Sequence, residues 1–83
     1  MYYVYAIQSV TKERIYIGHT ECIDSRLNYH NSGYVKSTSK DGPWILVASE
    51  SIKRKDAARW IERALKRSRD KRVKWMKANR ITS

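Results

Sequence analysis

The sequence predicts a small α+β fold: a three-stranded antiparallel sheet flanked by helices, with elements in the order ββαβαα. Three observations carry that prediction. Tyr2 to Gln8 and Arg14 to His19 are short runs rich in Tyr, Val and Ile, joined by the polar link Ser9 to Glu13, which favours a hairpin. Trp44 to Ala48 is a continuous apolar run bounded by Gly42-Pro43, as in a strand covered on both faces. Three further stretches place apolar residues at helical spacing.

In the first strand Tyr3, Tyr5 and Ile7 share one face and Tyr2, Val4 and Ala6 the other. The second strand ends at Gly18-His19, and polar residues lead into a helix over Ile23 to Asn31. Ile23 and Leu27 take its buried spacing, while Arg26 and His30 lie one turn apart on a neighbouring face. Ser32-Gly33 ends this helix, with Gly33 suited to a left-handed cap. Tyr34 to Asp41 is polar and without period, hence a loop.

Lys53 to Arg67 is the clearest helix. Ala57, Ile61, Ala64 and Leu65 form its core stripe with Trp60 at the edge; Arg59, Arg63 and Arg67 form a basic stripe elsewhere. Asp70 is placed to cap a last helix through Ala78, carrying Val73, Trp75 and Met76. Trp60 and Trp75 are read as closing the sheet-facing side of their helices, with base stacking the rarer use of such residues. Residues 79–83 are expected to fray. The hairpin makes the first strand pair antiparallel and leaves the third strand's place open.

The 83 residues suit one domain spanning the chain. A single cysteine, Cys22, allows no internal disulfide and no zinc pair, which suggests a reduced, cytoplasmic protein. The N-terminus lacks the basic segment of a signal peptide, and no apolar run reaches the length of a membrane span. The net charge is +10, and its placement is one-sided. From Met1 to Ile52 five basic residues balance five acidic ones; from Lys53 onward thirteen face only Asp56, Glu62 and Asp70. A basic field on one half of a small chain is the footprint of a phosphate-backbone binder. Its basic helices lack the broad apolar face a membrane surface selects.

Residues able to act on an anion cluster in the early part of the sequence. Arg26 offers a planar, permanently charged fork for phosphate. Histidines such as His19 and His30 move protons near neutrality. Glu62 is a lone carboxylate among Arg59, Arg63, Lys66 and Arg67, suited to Mg²⁺, although an ion pair with Lys66 is its simpler use. A tyrosine must be acidified by neighbouring charge before it can act as a base.

Tyr3-Val4-Tyr5 followed by Tyr16-Ile17-Gly18, then Arg26, His30-Asn31, the Gly42-Pro43-Trp44 strand and Glu62, resembles the GIY-YIG nucleases, in particular their small single-domain members. The resemblance extends from Tyr2 to about Lys66. It implies a GIY-YIG endonuclease-like fold and metal-dependent hydrolysis of DNA phosphodiesters. By the same resemblance, Tyr5 and Tyr16 sit near the attacking water, Arg26 meets the scissile phosphate, and Glu62 holds one Mg²⁺ or Mn²⁺ per site. His30 falls where the family has His or Tyr, and His19 where several members have lysine. Which of Tyr5, Tyr16 or His30 acts as base stays open. The first motif departs from the family pattern, with Tyr3 in place of a glycine. A late asparagine often completes the family site; Asn79 is the candidate here, but it lies far from Glu62 in sequence and is not included.

Together these features imply a DNA endonuclease, structure-selective and serving repair or recombination, with RNA left open as a partner. Arg59, Arg63, Lys66, Arg67, Lys71, Arg72 and Lys74 would grip the DNA backbone. The main alternative is a non-catalytic basic nucleic-acid-binding module on the same fold. A further alternative is an adaptor for acidic proteins.

Overall fold

The computed structural model describes residues 1–36 and 38–81. Its elements are β1 (Tyr2–Ser9), β2 (Ile15–Thr20), α1 (Ile23–Asn31), β3 (Trp44–Ile52), α2 (Lys55–Arg67) and α3 (Arg69–Ala78). The strands form one antiparallel sheet in the order β2-β1-β3. The first strand of the chain is therefore the central one. Val4, Tyr5, Ala6 and Ile7 are all buried, so it is β1 that is covered on both faces. The expectation of full cover for β3 is corrected. As an edge strand it buries Trp44 and Ala48 but leaves Ile45 half exposed.

The alternation in β1 divides the core in two. Val4, Ala6, Ile17 and Ala48 pack with Ala58 and Leu65 of α2, joined by Trp75 and Met76 of α3. On the opposite face Tyr5, Ile7 and Trp44 pack with Tyr16, Leu46 and Leu27 of α1. The sheet thus lies between α1 on one side and α2 and α3 on the other. A register shift at Ala6/Ile7 marks an irregularity in the β1–β3 ladder.

Helix α1 has the predicted bounds, and Gly33 takes φ +85° after its end. Its one fully buried residue is His30; Ile23 and Leu27 are only half buried. The core stripe of α2 is turned relative to the expected one. Ala58, not Ala57, is buried with Leu65, and this rotation carries Trp60 to the surface, 69% exposed. The prediction for Trp60 is corrected. Trp75 packs on the sheet as expected, and its Nε1–H donates to Glu50 Oε1 at 3.0 Å.

Ser68, not Asp70, caps α3: its hydroxyl accepts from the Lys71 N–H at 3.2 Å. The predicted loose tail is corrected for residues 79–81. Ser49 N–H donates to Asn79 O and Ile81 N–H to Val47 O, so this segment bonds to the outer edge of β3. The expectation for residues 82 and 83 lies outside the described residues. No helix among the described residues is long and apolar enough to cross a membrane.

Candidate active site

Paired strand residues share a face, and this rule positions the site. Tyr5 lies opposite Gly18 and Ile7 opposite Tyr16, which puts both tyrosines on the α1 side of the sheet. Val4 lies opposite His19, which puts that histidine on the α2 side. β2 is an edge strand, so groups from both faces can meet around its unpaired margin.

Gly18 lets the Tyr5 ring lie across the β1–β2 pair. A Cβ at Gly18 would stand 2.5 Å from Tyr5 Oη and 2.7 Å from Cζ, closer than any side chain tolerates. The Tyr5 hydroxyl lies 2.9 Å from His30 Nε2, and His30 Nδ1 lies 2.9 Å from Thr38 Oγ1. Thr38 spends its single proton on Val35 O at 3.3 Å. Oγ1 therefore accepts from the Nδ1–H, Nε2 is the acceptor nitrogen, and Tyr5 O–H donates to it. The three residues form a directed chain, Tyr5 to His30 to Thr38. His30 and Thr38 are buried, 1% and 0% exposed. Burial, aided by the Arg26 cation, lowers the pKa of His30 and favours neutral imidazole. Burial raises Tyr5 to about 12; hydrogen bonding to Arg26 opposes that shift, and the charges of Tyr16 and Glu62 add to it.

Arg26 is half buried on α1 and forms no ion pair among the described residues. Its guanidinium stands 5.4 Å from the Tyr29 ring centroid. Its Nε is buried without a hydrogen-bond partner among the described residues. An orphaned, cationic donor is what an anion site keeps for its ligand.

On the other side of β2, His19 Nδ1 and Glu62 Oε1 are 2.5 Å apart, and Lys66 Nζ donates to Glu62 Oε2 at 2.9 Å. Burial alone would raise the Glu62 pKa. Hydrogen bonds from His19 and Lys66 outweigh it and hold the carboxyl below its ordinary value, hence ionised. Lys66 joins the two sides, its ammonium 5.3 Å from the Tyr16 ring centroid. Tyr16 meets the His30 ring edge-on at 4.8 Å and the Tyr5 ring at 6.5 Å. From Thr38 to His19 the contacts run without a break through His30, Tyr16, Lys66 and Glu62. The structure brings all six predicted residues, Tyr5, Tyr16, His19, Arg26, His30 and Glu62, to this margin.

Two residues assigned to the DNA grip have internal partners: Lys66 on Glu62, and Arg72, whose Nη1 donates to Leu65 O at 3.1 Å. Arg59, Arg63, Arg67, Lys71 and Lys74 are exposed. Asn79 lies at the opposite edge of the sheet, its Nδ2 donating to Trp75 O. Sequence reasoning missed Thr38, which sits in a stretch without period. It also missed the role of Asn31, whose amide exchanges two hydrogen bonds with the Trp44 backbone, at 2.6 and 3.1 Å. That clamp, with Trp44 Nε1–H donating to Thr38 O at 2.9 Å, holds the loop that carries Thr38.

The family model of the GIY-YIG catalytic domain matches residues 1–79. The chain belongs to the GIY-YIG family. No match was found among curated proteins or among solved structures. Membership places the chain in a nuclease superfamily, which implies a nucleic-acid substrate, and GIY-YIG nucleases generally use divalent metal ions. Tyr5, Tyr16 and Gly18 stand where the resemblance puts the motif's tyrosines and glycine, and the close approach of the Tyr5 ring to Gly18 gives a physical reason for a glycine there. Among the described residues no group of three or more His, Cys, Asp or Glu could cage a metal. A single ionised carboxylate fits a hard cation that completes its shell with water and phosphate, and does not fit zinc.

Proposed function

We propose that this protein is a divalent-metal-dependent DNA endonuclease that hydrolyses phosphodiester bonds, selecting DNA structure over sequence, in repair or recombination. The observation that carries the proposal is the convergence at the β2 margin of Arg26, with its orphaned donor, and Glu62, held ionised, around Tyr5, Tyr16 and the two histidines. Binding alone would not require that carboxylate.

In this reading Arg26 holds the scissile phosphate through charge-assisted hydrogen bonds. Glu62 is the ligand for Mg²⁺ or Mn²⁺, which when bound polarises the phosphoryl oxygens and offsets charge on the leaving oxygen. A cation competes there with His19 and Lys66 for the carboxylate oxygens. With its pKa raised to about 12, Tyr5 makes a poor base by itself at neutral pH. Its oxygen can take a proton from water as its own proton passes to His30 Nε2, so the net acceptor is the neutral imidazole. Phosphate charge beside Arg26 offsets the imidazolium that results. Tyr16 and Lys66 flank the attacked phosphate. Arg59, Arg63, Arg67, Lys71 and Lys74 supply backbone grip, so affinity falls with salt by about −0.9 in log–log slope per duplex phosphate neutralised.

The test is incubation with linear, nicked and branched DNAs in Mg²⁺, Mn²⁺ or chelator. Metal-dependent cutting with a preference for nicked or branched DNA is expected, and no product with any metal would overturn the proposal. The alternative of a non-catalytic binding module on the same fold is favoured by the pairing of both Glu62 oxygens. It gives salt-sensitive binding without product.

A further inference from the structure

Trp60 is 69% exposed, on the side of α2 turned away from Ala58 and Leu65. An indole is the largest apolar side chain, and leaving it in water forgoes burial that folding normally uses. Trp75 on the next helix is packed on the sheet, so the same residue type has two different fates here. Trp60 also has distinctive company. With Asp56, Arg59 and Arg63 it lines an open depression of about 310 Å³. Arg63 and Arg67 follow it at i+3 and i+7, one and two turns along the same side. The acid of the group is already neutralised, since Arg54 Nε and Nη2 donate to the two Asp56 carboxylate oxygens at 3.1 and 2.8 Å. What remains for a ligand is a flat aromatic face flanked by guanidinium groups.

We infer that Trp60 is a stacking platform for an unpaired nucleobase, with Arg59, Arg63 and Arg67 holding the flanking phosphates. The substrate class is then DNA with a single-stranded segment, and the inference rests on the nuclease reading above. Guanidinium groups beside an indole match phosphates beside a base; an apolar protein partner would not select three arginines, and an acidic one would not need the ring. A base inside an intact duplex has its faces covered and cannot use the platform. Trp60 and Glu62 are two residues apart, about 200° around α2. Lys66, Arg59 and Arg63 fall between them on the helix surface. Half the circumference of a helix ~10 Å across is roughly 15 Å, about four nucleotides at the ~3.4 Å stacked rise. The stacked base therefore lies a few nucleotides from the phosphate cut beside Glu62.

The experiment measures binding of a labelled single-stranded oligonucleotide and its blunt duplex in chelator, which blocks metal-dependent cutting, for wild type, Trp60→Ala and Trp60→Phe. Single-strand affinity should fall about 5- to 150-fold in Trp60→Ala and much less in Trp60→Phe, with duplex affinity unchanged within twofold. Single-stranded DNA should also quench wild-type tryptophan fluorescence, and that quenching should vanish in Trp60→Phe, which keeps buried Trp44 and packed Trp75. Equal loss on both DNAs, no loss on either, or a changed oligomeric state in Trp60→Ala overturns the inference. If wild type cuts DNA and Trp60→Ala binds like it, only this inference falls. If wild type binds neither DNA, the nuclease reading falls with it.

Discussion

Replacing Gly18 with alanine tests the geometry at its tightest point. The added Cβ would lie 2.5, 2.7 and 3.0 Å from Tyr5 Oη, Cζ and Cε2, against about 3.4 Å for ordinary contact. The Tyr5 ring must therefore move by about 1 Å. It cannot do so and keep its 2.9 Å bond to His30 Nε2, because His30 is itself held by Thr38. Overpacking costs about 1–3 kcal/mol and an unsatisfied buried polar group about 1–3 kcal/mol more, so a loss of ~2–6 kcal/mol is expected. Gly18 has no positive φ, so without the clash alanine in a strand would stabilise by about 0.5–1 kcal/mol. The two outcomes differ in sign. Urea unfolding reads the stability, and DNA cleavage by the folded fraction should fall on the order of 10²-fold, since a 1 Å misplacement at a reacting centre has that effect. In a Tyr5→Phe background the stability loss from Gly18→Ala should shrink, because the hydrogen bond is already gone. A Gly18→Ala protein as stable as wild type and cutting at its rate would refute the reasoning.

Two further outcomes follow from the buried chain. Thr38→Val leaves the His30 Nδ1–H without an acceptor and should cost about 1–3 kcal/mol, whereas Thr38→Ser keeps the oxygen and most of the stability. Urea unfolding compares them, and equal midpoints for the two variants would remove Thr38 from the chain. Stability should also fall as the pH drops. His30 has a lowered pKa in the folded state, so the unfolded chain takes up the proton first, near pH 6.5, and the loss continues down to the folded value. Glu62, also lowered, adds a loss of the same sign at more acidic pH. Unfolding midpoints measured from pH 7.5 to 4 should decline, with the upper part of the decline absent in His30→Gln. A rise between pH 7 and 5 would contradict the assignment of a buried neutral imidazole.

What could be read in advance followed from local rules. Strand alternation separated Tyr5 from Val4 correctly, because the side-chain period of 2 does not depend on the rest of the fold. The end of α1 was legible from Ser32-Gly33, and the candidate site residues were named through the resemblance to the GIY-YIG nucleases. Strand order was not legible: nothing local tells β1 that it will be central, and its tyrosines suit an edge as well as a middle strand. The phase of α2 was ambiguous because Ala57, Ala58 and Ala64 are equally small, and choosing the wrong alanine turned Trp60 inward. Asp70 and Ser68 both suit a helix cap, and the break between α2 and α3 decided for Ser68. Thr38 and Asn31 act through partners that only the folded chain brings near. No spacing rule reaches from a loop threonine back to the imidazole at residue 30.

The central claim is that a single carboxylate at the margin of β2 recruits the metal for phosphodiester cleavage. Its most direct test is cleavage of nicked plasmid by wild type and by Glu62→Gln across a Mg²⁺ titration, with unfolding measured on both. Wild type should cut in a saturable, Mg²⁺-dependent way. Glu62→Gln, folded and still binding DNA, should lose at least ~10²-fold in rate, as expected for losing preorganised charge at a reacting centre. Cleavage by Glu62→Gln at the wild-type rate, with the same Mg²⁺ dependence, would contradict the account.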